Sequence, residues 1–186
     1  KYQKTTLNNG LRIILAPMQE AETVTVMVMT GVGSRYESKK ENGIAHFLEH
    51  MMFKGTEKRP TAHDISKELD GIGAEYNAFT GKEYTGYYAK VAATHAETAL
   101  DVVSDIFMNA KLEQAEIDRE RGTILQELNM YEDMPMRHIN DLWEMHLYGD
   151  HPLGWEIIGT KENIGSFKRA DFVKYLRRGY VSRSEE

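Results

Sequence analysis

The sequence predicts an α+β fold: a mostly antiparallel sheet packed against several helices. Two observations carry this. Pairs of β-rich runs closed by glycine-containing turns recur in the first half of the chain, and apolar residues at helical spacing dominate the second. With 186 residues, 41% hydrophobic and 28% charged, the chain is sized for one domain with a good core, spanning residues 1–186.

Taken in order, Thr5–Leu7 and Leu11–Leu15 read as two strands about the Asn9-Gly10 turn, and Pro17 ends the second. Thr23–Thr30 alternates threonine with valine and methionine, a third strand, and Gly31–Ser34 breaks it. Ser34–Glu41 is polar and loop-like. Thr61 and Asp64 form a capping pair that opens a short helix to Gly71, with His63 exposed in its first turn. Ala74–Thr80 and Glu83–Val91 form the clearest hairpin, rich in aromatic and β-branched residues, about Gly81-Lys82. Thr94–Asn109 is a helix with Ala99, Leu100, Val103, Ile106 and Phe107 inward, and His95 near its start has no partner at metal spacing. A longer helix over Glu113–Asp133 should bury Ile117, Ile124, Leu125, Leu128 and Tyr131. Met136–Leu147 continues helically with Ile139, Leu142, Trp143 and Leu147 as core, while His138 and His146 read as structural or exposed, without a nearby second ligand. Asp150–Gly159 is a long loop, and Asp171–Tyr180 a closing amphipathic helix.

The chemistry gathers in Asn42–Phe53. Ile44, Phe47, Leu48, Met51 and Met52 recur at the spacing of one helical face, and His46, Glu49 and His50 fall on the other. Two imidazoles one turn apart can converge on a single ion, at roughly 2.0–2.1 Å each for zinc. A carboxylate between them can reach water beside that ion. The pattern is H-x-x-E-H, an inverted zinc-peptidase motif. A chain without cysteine has to hold metal with histidine and carboxylate, so the third ligand must be sought among its acids. In the long acidic helix, Glu120 and Glu127 stand seven apart, close in angle to Ile117, Ile124 and Leu128, where a carboxylate costs several kcal/mol unless a partner offsets it. Either qualifies on these grounds. Gly122 between them suggests close approach of another element.

Net charge of −6, with no basic stripe, argues against nucleic acid as a partner, and no apolar run approaches the ~18 residues of a membrane span. No signal-peptide pattern is present near Lys1, and a bacterial-like cytoplasmic location is the expectation.

Gly33–Glu37 (G-S-R-Y-E) followed by Asn42–Thr56 (N-G-I-A-H-F-L-E-H-M-M-F-K-G-T) resembles the pitrilysin and insulinase family of zinc peptidases. It looks closest to the branch containing mitochondrial processing peptidase β-subunits and small bacterial members. The resemblance implies one zinc per chain on His46, His50 and Glu127, since the family's spacing from the second histidine to its third ligand lands on Glu127. It implies Glu49 as the general base and Glu120 as the other catalytic-site glutamate, which supports the site without binding zinc. Asn77, Ala78 and Phe79, in N-A-F-T-G-K-E-Y-T-G-Y-Y, match the family's substrate-binding strand.

The activity implied by the resemblance is that of a zinc-dependent endopeptidase acting on extended or unfolded peptides. The alternatives are a zinc- and peptide-binding subunit or fragment that needs a second domain for activity, and a plain interaction domain whose histidines hold no metal. Active members of the family pair two similar domains or two subunits. This chain corresponds to the N-terminal one, ending at Tyr180–Glu186 about where the family continues into another strand, so a second homologous domain or subunit, or a homodimer, is the expected partner.

Overall fold

The computed structural model describes residues 1–181. Strands β1 (Gln3–Thr6) and β2 (Arg12–Leu15) pair antiparallel as a separate two-stranded ribbon with all eight residues exposed. The Asn9-Gly10 signal does close this hairpin, but the loop runs from Leu7 to Leu11, with Gly10 at φ +89°. Strands β3 (Thr23–Thr30), β4 (Glu75–Thr80) and β5 (Thr85–Ala92) form an antiparallel sheet in the order β3-β5-β4. Register pairs Val24 with Val91, Val26 with Ala89 and Val28 with Tyr87, which puts the apolar side chains on one face. The other face carries the exposed Met27 and Met29.

Helix α1 (Ile44–Met51) lies under the sheet against β4 and against the long helix α4 (Gln114–Glu132). Ile44, Ala45, Phe47, Leu48 and Met51 are all 1% exposed or less, as the apolar spacing predicts. Around it lie α2 (Ala62–Gly71), α3 (Ala96–Asn109), α5 (Pro135–Tyr148), α6 (Lys161–Ser166) and α7 (Arg169–Gly179). Phe47 packs edge-on against Phe172 of α7, with ring centroids 4.9 Å apart. The capping box at Thr61 and Asp64 is formed.

Several expectations need correction. Leu100 points outward on α3, and Val102 takes the buried place beside Val103. Helix α6 has no signal in the sequence pattern, because six residues hold too little periodicity to read. Gly122 has nothing within 4 Å of where a Cβ would stand, so no element approaches it. The largest reversal is α5. None of its side chains is buried, Ile139, Leu142, Trp143 and Leu147 are exposed, and only His138, Asp141 and Glu144 are partly covered. The helix turns a polar stripe inward and its apolar side to the surface. Residues 182–186, about where the further strand was expected to begin, lie outside the described residues.

After α1, Arg59 is 3% exposed and binds three carboxylates: Glu68 of α2 at 2.7 Å, and Asp101 and Asp105 of α3 at 2.6 and 2.8 Å. Thr56 also donates to Asp105 at 2.6 Å. Burial pushes the Asp105 carboxyl up, but the hydrogen bonds from Thr56, Asn109 and Arg59 outweigh it and hold its pKa below the ordinary value. Arg59→Ala leaves the buried Asp105 carboxylate without its cation, while Glu68 and Asp101 are exposed enough for water to take its place, and should cost about 3–5 kcal/mol of unfolding free energy in urea titrations. Because the pKa of Asp105 is depressed on folding, its stabilisation is present above the ordinary value of 3.8 and is lost as pH falls below it. Asp105→Asn should therefore flatten the acid limb of the stability curve, measured as the midpoint of urea unfolding against pH.

Candidate metal centre

The N-terminus of α1 is held by a residue from outside the helix. Glu37, 3% exposed in what reads as a polar loop, accepts from the backbone N–H groups of Gly43 and Ala45 at 2.9 and 2.8 Å and from Asn42 Nδ2 at 3.2 Å. It satisfies donors that a helix start leaves unpaired, and its charge suits the positive end of the dipole. Burial nonetheless pushes its carboxyl up to about 7. Gly43, at φ +99°, stands at the cap position of the helix, and a Cβ there would stand 2.5 Å from the Ile158 carbonyl oxygen. The loop before α6 therefore closes directly onto the helix start.

With its start fixed and its apolar face buried, α1 presents His46, Glu49 and His50 together. The two imidazoles lie 4.8 Å apart between centroids. From α4, Glu127 brings Oε1 to 3.7 Å from His46 Nε2 and Oε2 to 3.4 Å from His50 Nε2. One ligand atom from each of the three residues lies within 4.8 Å of the others. Two imidazole nitrogens and a carboxylate oxygen facing one point are a donor set that fits zinc, with room for a further ligand. Burial, then the charge of His50, pushes His46 down to about 4, so it is the neutral base that a metal requires. Its Nδ1 is buried without a hydrogen-bond partner among the described residues, which leaves Nε2, toward Glu127, as the ring's engaged side.

Glu120 and Glu127, equivalent by spacing alone, are separated by the structure. Glu120 is 6% exposed and meets the far side of His50, with Oε1 2.9 Å from Nδ1. A proton on Nδ1 donated to Glu120 leaves Nε2 free for a metal. Lys54 offsets the buried charge of Glu120 at 2.5 Å. Burial raises the Glu120 carboxyl, but the hydrogen bonds from His50 and Lys54 hold it below the ordinary value. Burial also pushes His50 down, and the hydrogen bond to Glu120 with the charges of Glu127, Glu120 and Glu49 more than reverses it. Tyr131 donates its hydroxyl to Glu127 Oε1 and is itself raised to about 12, first by burial and then by that bond.

Glu49 stands beside these groups with its carboxyl raised, chiefly by burial, and accepts from Thr80 Oγ1 at 2.5 Å. Thr80 ends β4, an edge strand of the sheet, so the strand carrying Asn77, Ala78 and Phe79 ends next to Glu49. Asn77 is exposed and its own Oδ1 takes the Ala78 N–H at 2.8 Å. Phe79 lies across Gly86, where a Cβ would meet its ring at 2.4 Å, and so sits on the sheet's open face and not in the core. Lys54, Thr80, Tyr131 and Glu37 escaped sequence reasoning. Glu37, Lys54 and Thr80 each lie within a sequence motif, but nothing in the motifs showed what they would touch.

A peptidase-like site on this fold has relatives. The profile of the insulinase family (peptidase family M16) matches residues 12–161, and the chain belongs to that family. It is 42% identical over 179 residues to the uncharacterized zinc protease YmxG of Bacillus subtilis, covering 96% of this chain and 44% of that protein. It is also 42% identical over 178 residues to a probable mitochondrial-processing peptidase subunit beta of Arabidopsis thaliana, 96% of this chain and 33% of the relative. A crystal structure of a protease from Helicobacter pylori superposes with a TM-score of 0.92 at 26% identity, over 99% of this chain and 44% of the other. The chain thus spans less than half the length of these proteins. Among the described residues no helix is long and apolar enough to cross a membrane.

Glu120→Ala should weaken zinc binding about 10- to 100-fold, because His50 loses the group that orients it. Competition against a chelating indicator reads this directly, and an unchanged affinity would place Glu120 outside the metal's support.

Proposed function

We propose that this chain is the N-terminal catalytic domain of a zinc-dependent endopeptidase that cuts extended or unfolded peptides. His46, His50 and Glu127 hold one zinc, Glu49 is the general base, and Glu120 positions His50. The observation that carries the reading is the meeting of Glu127 with both outward imidazole nitrogens while Glu49 stands beside them, free of either. Membership of a family whose relatives are named zinc proteases supports it.

The bound ion would supply a Lewis acid for the scissile carbonyl and would acidify a water toward a pKa of ~7. Glu49 is placed to accept a proton from an attacking water at this site and to return it to the leaving amine. Its raised pKa suits both steps, since a carboxylate of ordinary acidity is a weaker acceptor and one of still higher pKa a poorer donor. The hydrogen bond from Thr80 aims Glu49 while leaving Oε1 for the water. The substrate backbone adds to the outer edge of β4, where no strand is paired among the described residues. Asn77 Oδ1 occupies the Ala78 N–H at that edge, and an incoming carbonyl replaces it. Asn77, Ala78 and Phe79 are in this reading the substrate-binding residues.

The exposed apolar side of α5, with Ile139, Trp143 and Leu147, together with the exposed β1–β2 ribbon, gives a second homologous domain, a partner subunit or a second copy a surface to cover. The relatives extend well beyond the matched region, which leaves length for such a domain in one chain.

The test is cleavage of an unfolded, fluorescence-quenched peptide, with zinc measured in the same sample. Activity should vanish with chelator and return with zinc. Glu49→Gln should keep the zinc and lose cleavage by at least about 10²-fold. Persistent cleavage in that variant overturns the assignment of the base, whereas zinc without cleavage in the wild-type chain assigns the missing function to the second half.

A further inference from the structure

We infer that His138, Asp141 and Glu156 form a second divalent-cation site that clamps α5 to the loop following it. The three residues each offer a ligand atom, and these atoms lie within 4.8 Å of one another. By sequence alone His138 reads as lacking a second ligand, yet Asp141 stands three residues on along the same helix, and the fold brings Glu156 to the pair.

Three independent features point to a cation. The first is the inverted polarity of α5. The only side chains it covers are His138, Asp141 and Glu144, at i, i+3 and i+6, so the helix seats itself on the domain by a polar stripe. Glu144 has its counter-charge in Lys82 at 3.0 Å, whose ammonium also donates to the Trp155 carbonyl at 2.5 Å. The second is that no such bridge reaches the other members. Among the described residues no hydrogen bond or ion pair reaches the side chains of His138, Asp141 or Glu156, although all three are partly buried. Carboxylates drawn together out of water without a cation are a net cost. In keeping with this, burial and then the charge of Asp141 raise the Glu156 carboxyl, with Glu132 adding to it and His138 and Lys82 opposing. The third is access. Glu156, though not His138 or Asp141, lines a cavity of about 650 Å³ together with Glu132, Gly149 and Trp155, which leaves one side of the cluster open.

One imidazole and two carboxylates suit zinc or a neighbouring first-row divalent ion better than magnesium or calcium, which favour all-oxygen shells. An ion there ties α5 to the segment whose Glu156 carbonyl accepts from Asn42 at 3.0 Å and whose Ile158 lies against Gly43. The clamp therefore reaches the N-terminus of α1. It acts by fixing α5, and it does not depend on the peptidase reading.

The experiment is a zinc titration of this chain by calorimetry, with thermal melts at each equivalent. The wild type should take up two ions, the second raising the melting temperature. His138→Ala and Asp141→Asn should each bind one ion, with the first step unchanged and circular dichroism confirming the fold. His46→Ala should lose the first step and retain the second, which separates this site from the other centre. A wild-type titration whose only equivalent is lost in His46→Ala overturns the proposal, and so does a second equivalent that survives both His138→Ala and Asp141→Asn.

Discussion

The buried carboxylate of Glu37 at the start of α1 is the contact on which the site geometry rests. A helix of eight residues has little stability of its own and leaves several N–H groups unpaired at its first turn. Gly43 offers no side chain to pair them. Glu37 does so from across the preceding turn, and the close approach of Gly43 to Ile158 brings the distant loop down on the same point. The helix therefore enters the core at one angle and one rotation. His46 and His50 inherit that rotation, and a small change in it would carry both imidazoles away from Glu127.

Around this helix the charges are arranged so that each buried acid has its own compensation. Glu120 has Lys54 and His50, Arg59 gathers Asp101, Asp105 and Glu68, and Glu37 has the helix start. Glu127 differs, since besides the Tyr131 hydroxyl it faces two imidazoles, one of which burial keeps neutral. A carboxylate without a full counter-charge beside two nitrogen donors is the arrangement on which the proposed zinc site rests. The cluster under α5 also has three ligand residues, with one nitrogen donor in place of two.

Helix α5 explains where pattern reading failed. Its apolar residues Ile139, Leu142, Trp143 and Leu147 have ordinary core spacing, and spacing identifies an apolar face without saying what covers it. Here the domain takes the polar stripe and leaves the apolar one to the surface. In a chain spanning less than half of its relatives' length, such a face is an interface as readily as a core.

The local elements were legible because their causes are local. The alternation in Thr23–Thr30, the Thr61–Asp64 capping box and the two-sided pattern of Ile44–Met51 are set by residues within a few positions of each other, and each lies where the sequence puts it. The H-x-x-E-H spacing likewise fixed two donors and a candidate base on one face. The residues by themselves left open the choice between Glu120 and Glu127, both on the same stripe of one helix. That choice depends on how far α4 is displaced along α1, a packing quantity carried by many distant contacts. The displacement sends Glu120 to His50 Nδ1 and Glu127 to the opposite nitrogens. The burial of Glu37, the pairing of Thr80 with Glu49 and the convergence of His138 with Asp141 and Glu156 belong to the same class: they join residues from separate elements, and only the folded chain brings those elements together.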